Sequence, residues 1–166
     1  MITIHLLRDK PEFIDKVSEV NFNTWIDFYA DNNYEHITCV QEYKEDLIEN
    51  YMDSNKIPIM IVADADDKYV GNISLIDDDF PEIARDRVWI TELYVLPEYR
   101  NKGVAKLLIQ KALDTAKSCG LHEVYLSCLE DLVCYYKKLD FISTGEEIFF
   151  ANKKYYVFKY NLVINN

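Results

Sequence analysis

Glycine is scarce in this chain, with four in 166 residues, and proline is as rare. Neither the GxGxxG dinucleotide pattern nor the GxxxxGK(S/T) phosphate loop occurs, which removes the two commonest glycine-built phosphate sites. No linker, repeat or low-complexity run divides the sequence, so the expectation is one domain over residues 1–166 with a single sizeable core. Cysteine is sparse too. Cys39, Cys119, Cys128 and Cys134 form no CxxC pair, and no histidine cluster at metal spacing accompanies them, so no metal is expected. Cys119 reads as lying on the apolar face of a helix and Cys128 at a strand end, both buried free thiols, which suits a reducing compartment. Basic residues are outnumbered, 18 against 29 acidic, for a net charge of −11 and no basic stripe. That argues against nucleic acid as a partner. Long apolar runs are missing as well. The opening MITIHLLRDKPEF meets charges within a few residues, so it reads as neither a signal peptide nor a membrane span, and cytoplasm is the default.

What is present is a packed globule. An apolar share of 49% with 14% aromatics rules out a chain too polar to fold. The acidic surface either serves solubility alone or draws cations, and amines are cations until deprotonated.

The elements can be read in order. Ile2–Leu7 is a short strand, and Asp9, Pro11 and Glu12 then carry helix-start signals. Ile14, Val17, Val20, Phe22, Trp25, Ile26 and Phe28 give that helix a broad apolar face. A second helix over Val40–Ser54 has Leu47, Ile48 and Tyr51 as its apolar contacts. Ile57–Ala63 and Tyr69–Ile76 are strands joined by a hairpin through Asp64-Ala65-Asp66-Asp67-Lys68, and a strand Val88–Leu96 follows a loop. The helix Gly103–Cys119 is stopped by Gly120, a left-handed cap. Glu123–Cys128 is a strand, Asp131–Lys138 a short helix capped by Asp131, and Phe141–Glu146 and Tyr155–Leu162 close the order βαα-βββ-αβ-αβ-β. This is a mixed α/β sheet, and the helix between the Val88 and Glu123 strands makes those two parallel.

The segment Val88–Gln110, VWITELYVLPEYRNKGVAKLLIQ, is the most informative. A strand runs through a proline-marked turn into a helix whose start offers Arg100, Asn101, Lys102, Gly103, Val104, Ala105 and Lys106. Backbone N–H groups and the positive end of the helix dipole converge there with basic side chains and no carboxylate, an anion site. Glycine at 103 admits close approach of a phosphate, and Ala105 keeps the first turn open. Within the strand, Glu92 is the one carboxylate. A period of two puts Ile90, Glu92 and Tyr94 on one face and Leu93 and Val95 on the other. A charge there needs a partner or a purpose: a pair with Arg85, Arg87 or a lysine, simple exposure, or the role of a general base.

The run LYVLPEYRNKGVAKLLI, with Val95, Pro97, Tyr99, Arg100 and Gly103, resembles the coenzyme A pyrophosphate segment of the GNAT acetyltransferase superfamily. The element order resembles the GNAT fold over nearly the full chain: a mixed, mostly antiparallel central sheet with a splayed parallel strand pair and helices on both faces. The resemblance implies acetyl-CoA as cosubstrate, its pyrophosphate on the amides of Lys102 to Lys106. It implies a pantetheine arm between the splayed strands, along Leu93, Tyr94 and Val95, with the Val95 amide donating to the thioester oxygen. Tyr135-Tyr136-Lys137-Lys138-Leu139-Asp140-Phe141 resembles the family's FYxKLGF motif. Tyr136 falls on the tyrosine that protonates the leaving thiolate, or else serves packing. Asp140 stands where the motif has glycine, and Leu129 where the family often has asparagine.

For the acceptor, the passages KIPIMIVAD…GNISLIDDD and RVWITELYV resemble a GNAT subgroup with an early tryptophan, here Trp25, and Asp77, Asp78 and Asp79 form an acidic loop. That loop either receives a polycationic amine or is a solvated turn. The implied activity is acetylation of a primary amine of a small molecule by direct attack, with Glu92 as base and Tyr136 as acid. A protein acetyltransferase acting on peptide N-termini or lysines is the second reading, and a non-catalytic acyl-CoA-binding module the third. Partners are then an amine-bearing small molecule or peptide, not a membrane, and the chain is a monomer or homodimer.

Overall fold

The computed structural model describes residues 1–31, 37–52, 56–77, 87–150 and 152–163. Strand β1 (Ile2–Leu6) leads through two 3-10 turns into helix α1 (Ile14–Asp31), and α2 (Val40–Asn50) follows. Strands β2 (Ile59–Ala65), β3 (Lys68–Asp77) and β4 (Val88–Val95) precede α3 (Val104–Ser118), β5 (Glu123–Cys128), α4 (Val133–Lys137), β6 (Ile142–Phe150) and β7 (Lys153–Asn161). One seven-stranded sheet results, ordered β1-β2-β3-β4-β5-β7-β6. Its neighbours are antiparallel except for β4 and β5, which run parallel, as the crossover through α3 requires.

Both faces of the sheet are covered, and side-chain alternation shows how. In β2, Ile59, Ile61 and Ala63 join the layer built with Val104, Leu108, Ala112 and Ala116 of α3. Met60 and Val62 join Val17 and Val20 of α1 and Tyr43 and Leu47 of α2 on the other side. All of β2 is therefore buried, and it reads as a nearly continuous apolar run. The β2–β3 hairpin turns through Asp66 and Asp67, both at positive φ, where aspartate is tolerated better than most residues.

Helix α3 ends in a Schellman arrangement. The Gly120 N–H donates to the Lys117 carbonyl at 3.0 Å and the Leu121 N–H to the Ala116 carbonyl at 3.2 Å, with Gly120 at φ 80°, and Leu121 packs back on the core. Several boundaries differ from the sequence reading. Helix α3 begins at Val104, Gly103 being its left-handed N-cap. Helix α2 stops at Asn50, and Ile48 is exposed while Tyr43 is buried. Asp131 lies in a 3-10 turn before α4 and makes no capping bond. Cys119 sits at the exposed C-terminal end of α3, so only Cys128 is a buried thiol. No helix among the described residues is long and apolar enough to cross a membrane.

Candidate active site

The sheet is irregular where the chemistry was expected. Ser74 pairs with Thr91 and Asn72 with Tyr94, so a single β3 residue, Ile73, faces both Glu92 and Leu93. This is a β-bulge, and Glu92 takes φ 52° to make it, a conformation that strains a non-glycine residue by roughly 1–3 kcal/mol. The extra residue overturns the period-two expectation. Ile90 belongs to the α3 layer, whereas Glu92 and Tyr94 lie on the α1/α2 side with Tyr43 and Tyr69. Leu93 and Val95 pack with the α3 layer. Gly71 lets β3 close on this bulge: a Cβ there would come within 2.5 Å of the Tyr94 carbonyl oxygen.

Glu92 is held by hydroxyls. The Tyr43 O–H donates to its Oε1 at 2.5 Å and the Ser74 O–H to its Oε2 at 3.0 Å. The Asn72 side-chain amide donates to the Glu92 carbonyl at 2.8 Å and to Asn21 Oδ1 at 2.9 Å. The Asn21 amide in turn donates to the Tyr43 oxygen at 3.0 Å, and the Tyr69 O–H donates to Asn72 Oδ1. Asn21, Asn72 and Ser74 are fully buried, and groups so placed are tolerated because each is hydrogen-bonded. Arg87 is engaged elsewhere, in a two-pronged pair with Glu146 at 2.8 and 3.1 Å. Arg85 lies outside the described residues.

Beyond Trp89 the two parallel strands part. Trp89 with Tyr125 is the one backbone pairing between β4 and β5 among the described residues. From there to Val95 no backbone pairing joins β4 to β5 among the described residues. At that end the chain turns through Asn101, at φ 60°, and Gly103, at φ 83°. The α3 N-terminus has no side-chain cap and no acidic residue in its first turn, and nothing lies within 4 Å of where a Gly103 Cβ would be. Arg100 donates from Nε to the Val95 carbonyl at 2.9 Å and sets its guanidinium over the Tyr94 ring, so it ties the turn to the strand end. Lys102 lies over Tyr99, and Lys102 and Lys106 are exposed.

On the α3 face, Tyr136 is buried with Cys128, its ring edge-on to Tyr135 and Phe141 at 5.3 and 5.7 Å. Its hydroxyl has no hydrogen-bond partner among the described residues. Burial first, then Cys128 and Tyr135, pushes its pKa up. Burial followed by the Asp131 charge pushes the Cys128 thiol up to about 11, so both groups carry their protons at neutral pH. Asp140, standing in for the motif's glycine, takes φ 65°, the left-handed turn that glycine would supply.

Residues 22–141 match the model of the acetyltransferase (GNAT) family, more than half of the chain. The chain belongs to the GNAT acetyltransferase family. Among curated proteins it is similar to human N-acetyltransferase 8, 28% identical over 107 residues, covering 63% of this chain and 47% of that protein. It is also similar to spermidine N(1)-acetyltransferase of Vibrio cholerae, 29% identical over 117 residues, covering 67% of this chain and 65% of that protein. The chain thus spans less than two thirds of the length of these relatives. Its fold is shared with a solved aminoglycoside 6'-N-acetyltransferase in complex with coenzyme A, at TM-score 0.67 and 19% identity over 100% of this chain and 99% of that one.

Within this GNAT domain the structure brings Glu92, Leu93, Tyr94 and Val95 to one strand and the Arg100–Lys106 turn to its end. Tyr136 sits in the opposite layer. Trp25 packs against the α1/α2 cluster with its indole N–H buried and without a hydrogen-bond partner among the described residues. Asp77 is exposed at the end of β3, and Asp78 and Asp79 lie outside the described residues. Sequence reasoning missed Asn21, Tyr43, Asn72 and Ser74. The signal was there in β3: Asn72 and Ser74 alternate with Ile73 and Leu75, so two polar side chains share one face of a central strand. No group of three or more residues able to hold a metal occurs among the described residues.

Proposed function

We propose that this chain is an N-acetyltransferase that moves the acetyl group of acetyl-CoA to a primary amine of a small molecule by direct attack. The observation that carries the reading is the parted β4–β5 pair, with Glu92 on one face and Tyr136 in the layer packed on the other. The residues fit the cosubstrate. An uncapped helix N-terminus with open space at Gly103 and no acid in the first turn suits a pyrophosphate on the amides of Lys102 to Lys106. The open edge along Leu93, Tyr94 and Val95 suits an amide-bearing arm. When bound, acetyl-CoA supplies an activated thioester.

The protein's own groups handle charge and protons. A lysine-like amine, pKa about 10.4, arrives protonated, and Glu92 takes that proton. The Val95 amide polarises the carbonyl as negative charge develops on its oxygen. Tyr136, kept protonated by burial, donates to the departing thiolate. The similarity to a spermidine N(1)-acetyltransferase supports a small amine as acceptor.

The test incubates the protein with labelled acetyl-CoA and panels of amines and peptides, for wild type and Glu92→Gln. Transfer to small amines is expected. The kcat/KM of the variant should rise with pH toward the pKa of the amine, while wild type levels off earlier. Label on peptides alone would redirect the reading to protein acetylation, and binding without transfer to an acyl-CoA-binding module.

A further inference from the structure

The hydrogen bonds around Glu92 have a fixed direction, and the two carboxylate oxygens are not equivalent. Asn72 spends both amide hydrogens, one on Asn21 and one on the Glu92 carbonyl, while its oxygen receives the Tyr69 O–H. It cannot be flipped without losing all three. Asn21 Oδ1 is then an acceptor, and its amide hydrogen goes to the Tyr43 oxygen. Tyr43 therefore has its own proton to give, and it gives it to Oε1. Ser74 differs. Besides Oε2 at 3.0 Å, its hydroxyl reaches the Thr91 carbonyl at 3.4 Å, so it has a second acceptor to turn to.

We propose that Tyr43 is a positioning residue that locks Oε1 of Glu92, and that Ser74 is a switchable donor that makes Oε2 the oxygen that takes the proton. This rests on the reading of Glu92 as the base. In the resting state both hydroxyls donate to an ionised carboxylate, which favours that form. When Oε2 gains a proton from the ammonium group, the Ser74 hydroxyl rotates to the Thr91 carbonyl and its oxygen accepts the new O–H. The Tyr43 bond stays in place, so the carboxyl remains aimed through the cycle. The titratable groups that the described structure sets around the carboxylate are Tyr43 of α2, Tyr69 of β3 and Tyr94 of β4, and α1 contributes the buried Asn21 that donates to Tyr43. Tyr69 is pushed far up by burial, then by Tyr94 and Glu92, so it does not compete for the proton.

The experiment follows the Glu92 side-chain carboxyl carbon by NMR through a pH titration, the resonance being assigned by its loss in Glu92→Gln. Tyr43→Phe should raise the midpoint by about one pH unit, the scale of one hydrogen bond to a charged group. The acid limb of kcat/KM should move with it, kcat should fall, and coenzyme A affinity by calorimetry should hold. Ser74→Ala, a small change that carries the test if Tyr43→Phe fails to fold, should move the midpoint the same way. An unmoved midpoint in the folded variants overturns the proposal, even if Glu92→Gln abolishes the acid limb and so upholds the base. A raised midpoint with a wild-type profile in Glu92→Gln would leave the hydrogen bonds to the carboxylate standing but overturn the proposal that Oε2 takes the proton.

Discussion

The two faces of the sheet are built from the same strands to opposite rules. Toward α3, Ile61, Ala63, Ile73, Leu75, Ile90, Val124 and Leu126 meet Leu108, Ile109 and Ala112 in a dry layer. Toward α1 and α2, β3 and β4 set Asn72, Ser74 and Glu92 beside Asn21 and Tyr43, a polar network within an apolar cluster that includes Met60, Val62, Val17 and Leu47. A dry layer derives its stability from area and fit, and tolerates no gap. A polar layer gives less net stability per group but fixes direction, because each donor must find its acceptor. Strand β4 contributes to both, Ile90, Leu93 and Val95 to the first and Glu92 and Tyr94 to the second.

The contrast is broken most sharply by Tyr136, the hydroxyl that the dry layer carries. Tyr136→Phe keeps the ring packing with Tyr135 and Phe141 and should reduce turnover by about 10²–10⁴-fold with coenzyme A affinity little changed. A loss under roughly threefold would leave it a packing residue. Leu108→Ala, in the centre of the dry layer, should cost about 2–5 kcal/mol in urea unfolding. The shape of the pH–rate profile should stay that of wild type, and a changed profile would show that the two faces are coupled.

Gly103→Glu acts at the end of the seam. It places a carboxylate at the anion site and a side chain at φ 83°. Calorimetry should show coenzyme A affinity reduced at least about tenfold, some 1.4 kcal/mol, with the fold intact. Unchanged affinity would remove this turn from cosubstrate binding.

The smallest effect concerns the charged rows of β5 and β6. The Tyr125 hydroxyl and then Lys159 hold Glu123 below the usual carboxylate range, and Arg87 does the same for Glu146. Carboxylates lowered in the folded state stabilise it above the unfolded pKa, about 4.3. That stability is lost as pH falls through the lower folded value. Both are more than a third exposed, so each contributes under about 1 kcal/mol. Glu123→Gln and Glu146→Gln should lower Tm at pH 7 by no more than roughly 2–4 °C. They should also flatten its decline below about pH 4.

Legibility in the sequence followed how directly residue type dictates conformation. The limits of β5 were readable from its apolar run, and so were the hairpin at Asp66-Asp67 and the Gly120 cap, because few residues other than glycine, asparagine and aspartate accept those turns. The strand–turn–helix from Val88 onward was readable for the same reason. The bulge was not, since nothing in a glutamate announces positive φ, and with it went the face of Ile90. Tyr43 was missed because the apolar contacts of α2 were read as Leu47, Ile48 and Tyr51, whereas the face that turns inward carries Tyr43 with Leu47. Asp140 shows the converse: it departs from the motif in letter and keeps its backbone.

A sheet joined at its centre by one rung among the described residues has four borders instead of two. The outer borders, β1 and β6, face outward as edge strands do. The inner pair, β4 and β5, are recessed between α3 on one side and, at β4, α1 on the other. A strand from another protein would meet helices before it met those open backbone groups. On the proposed reading, a slender chain bearing its own amides would add to the ladder with little reorganisation set against its binding.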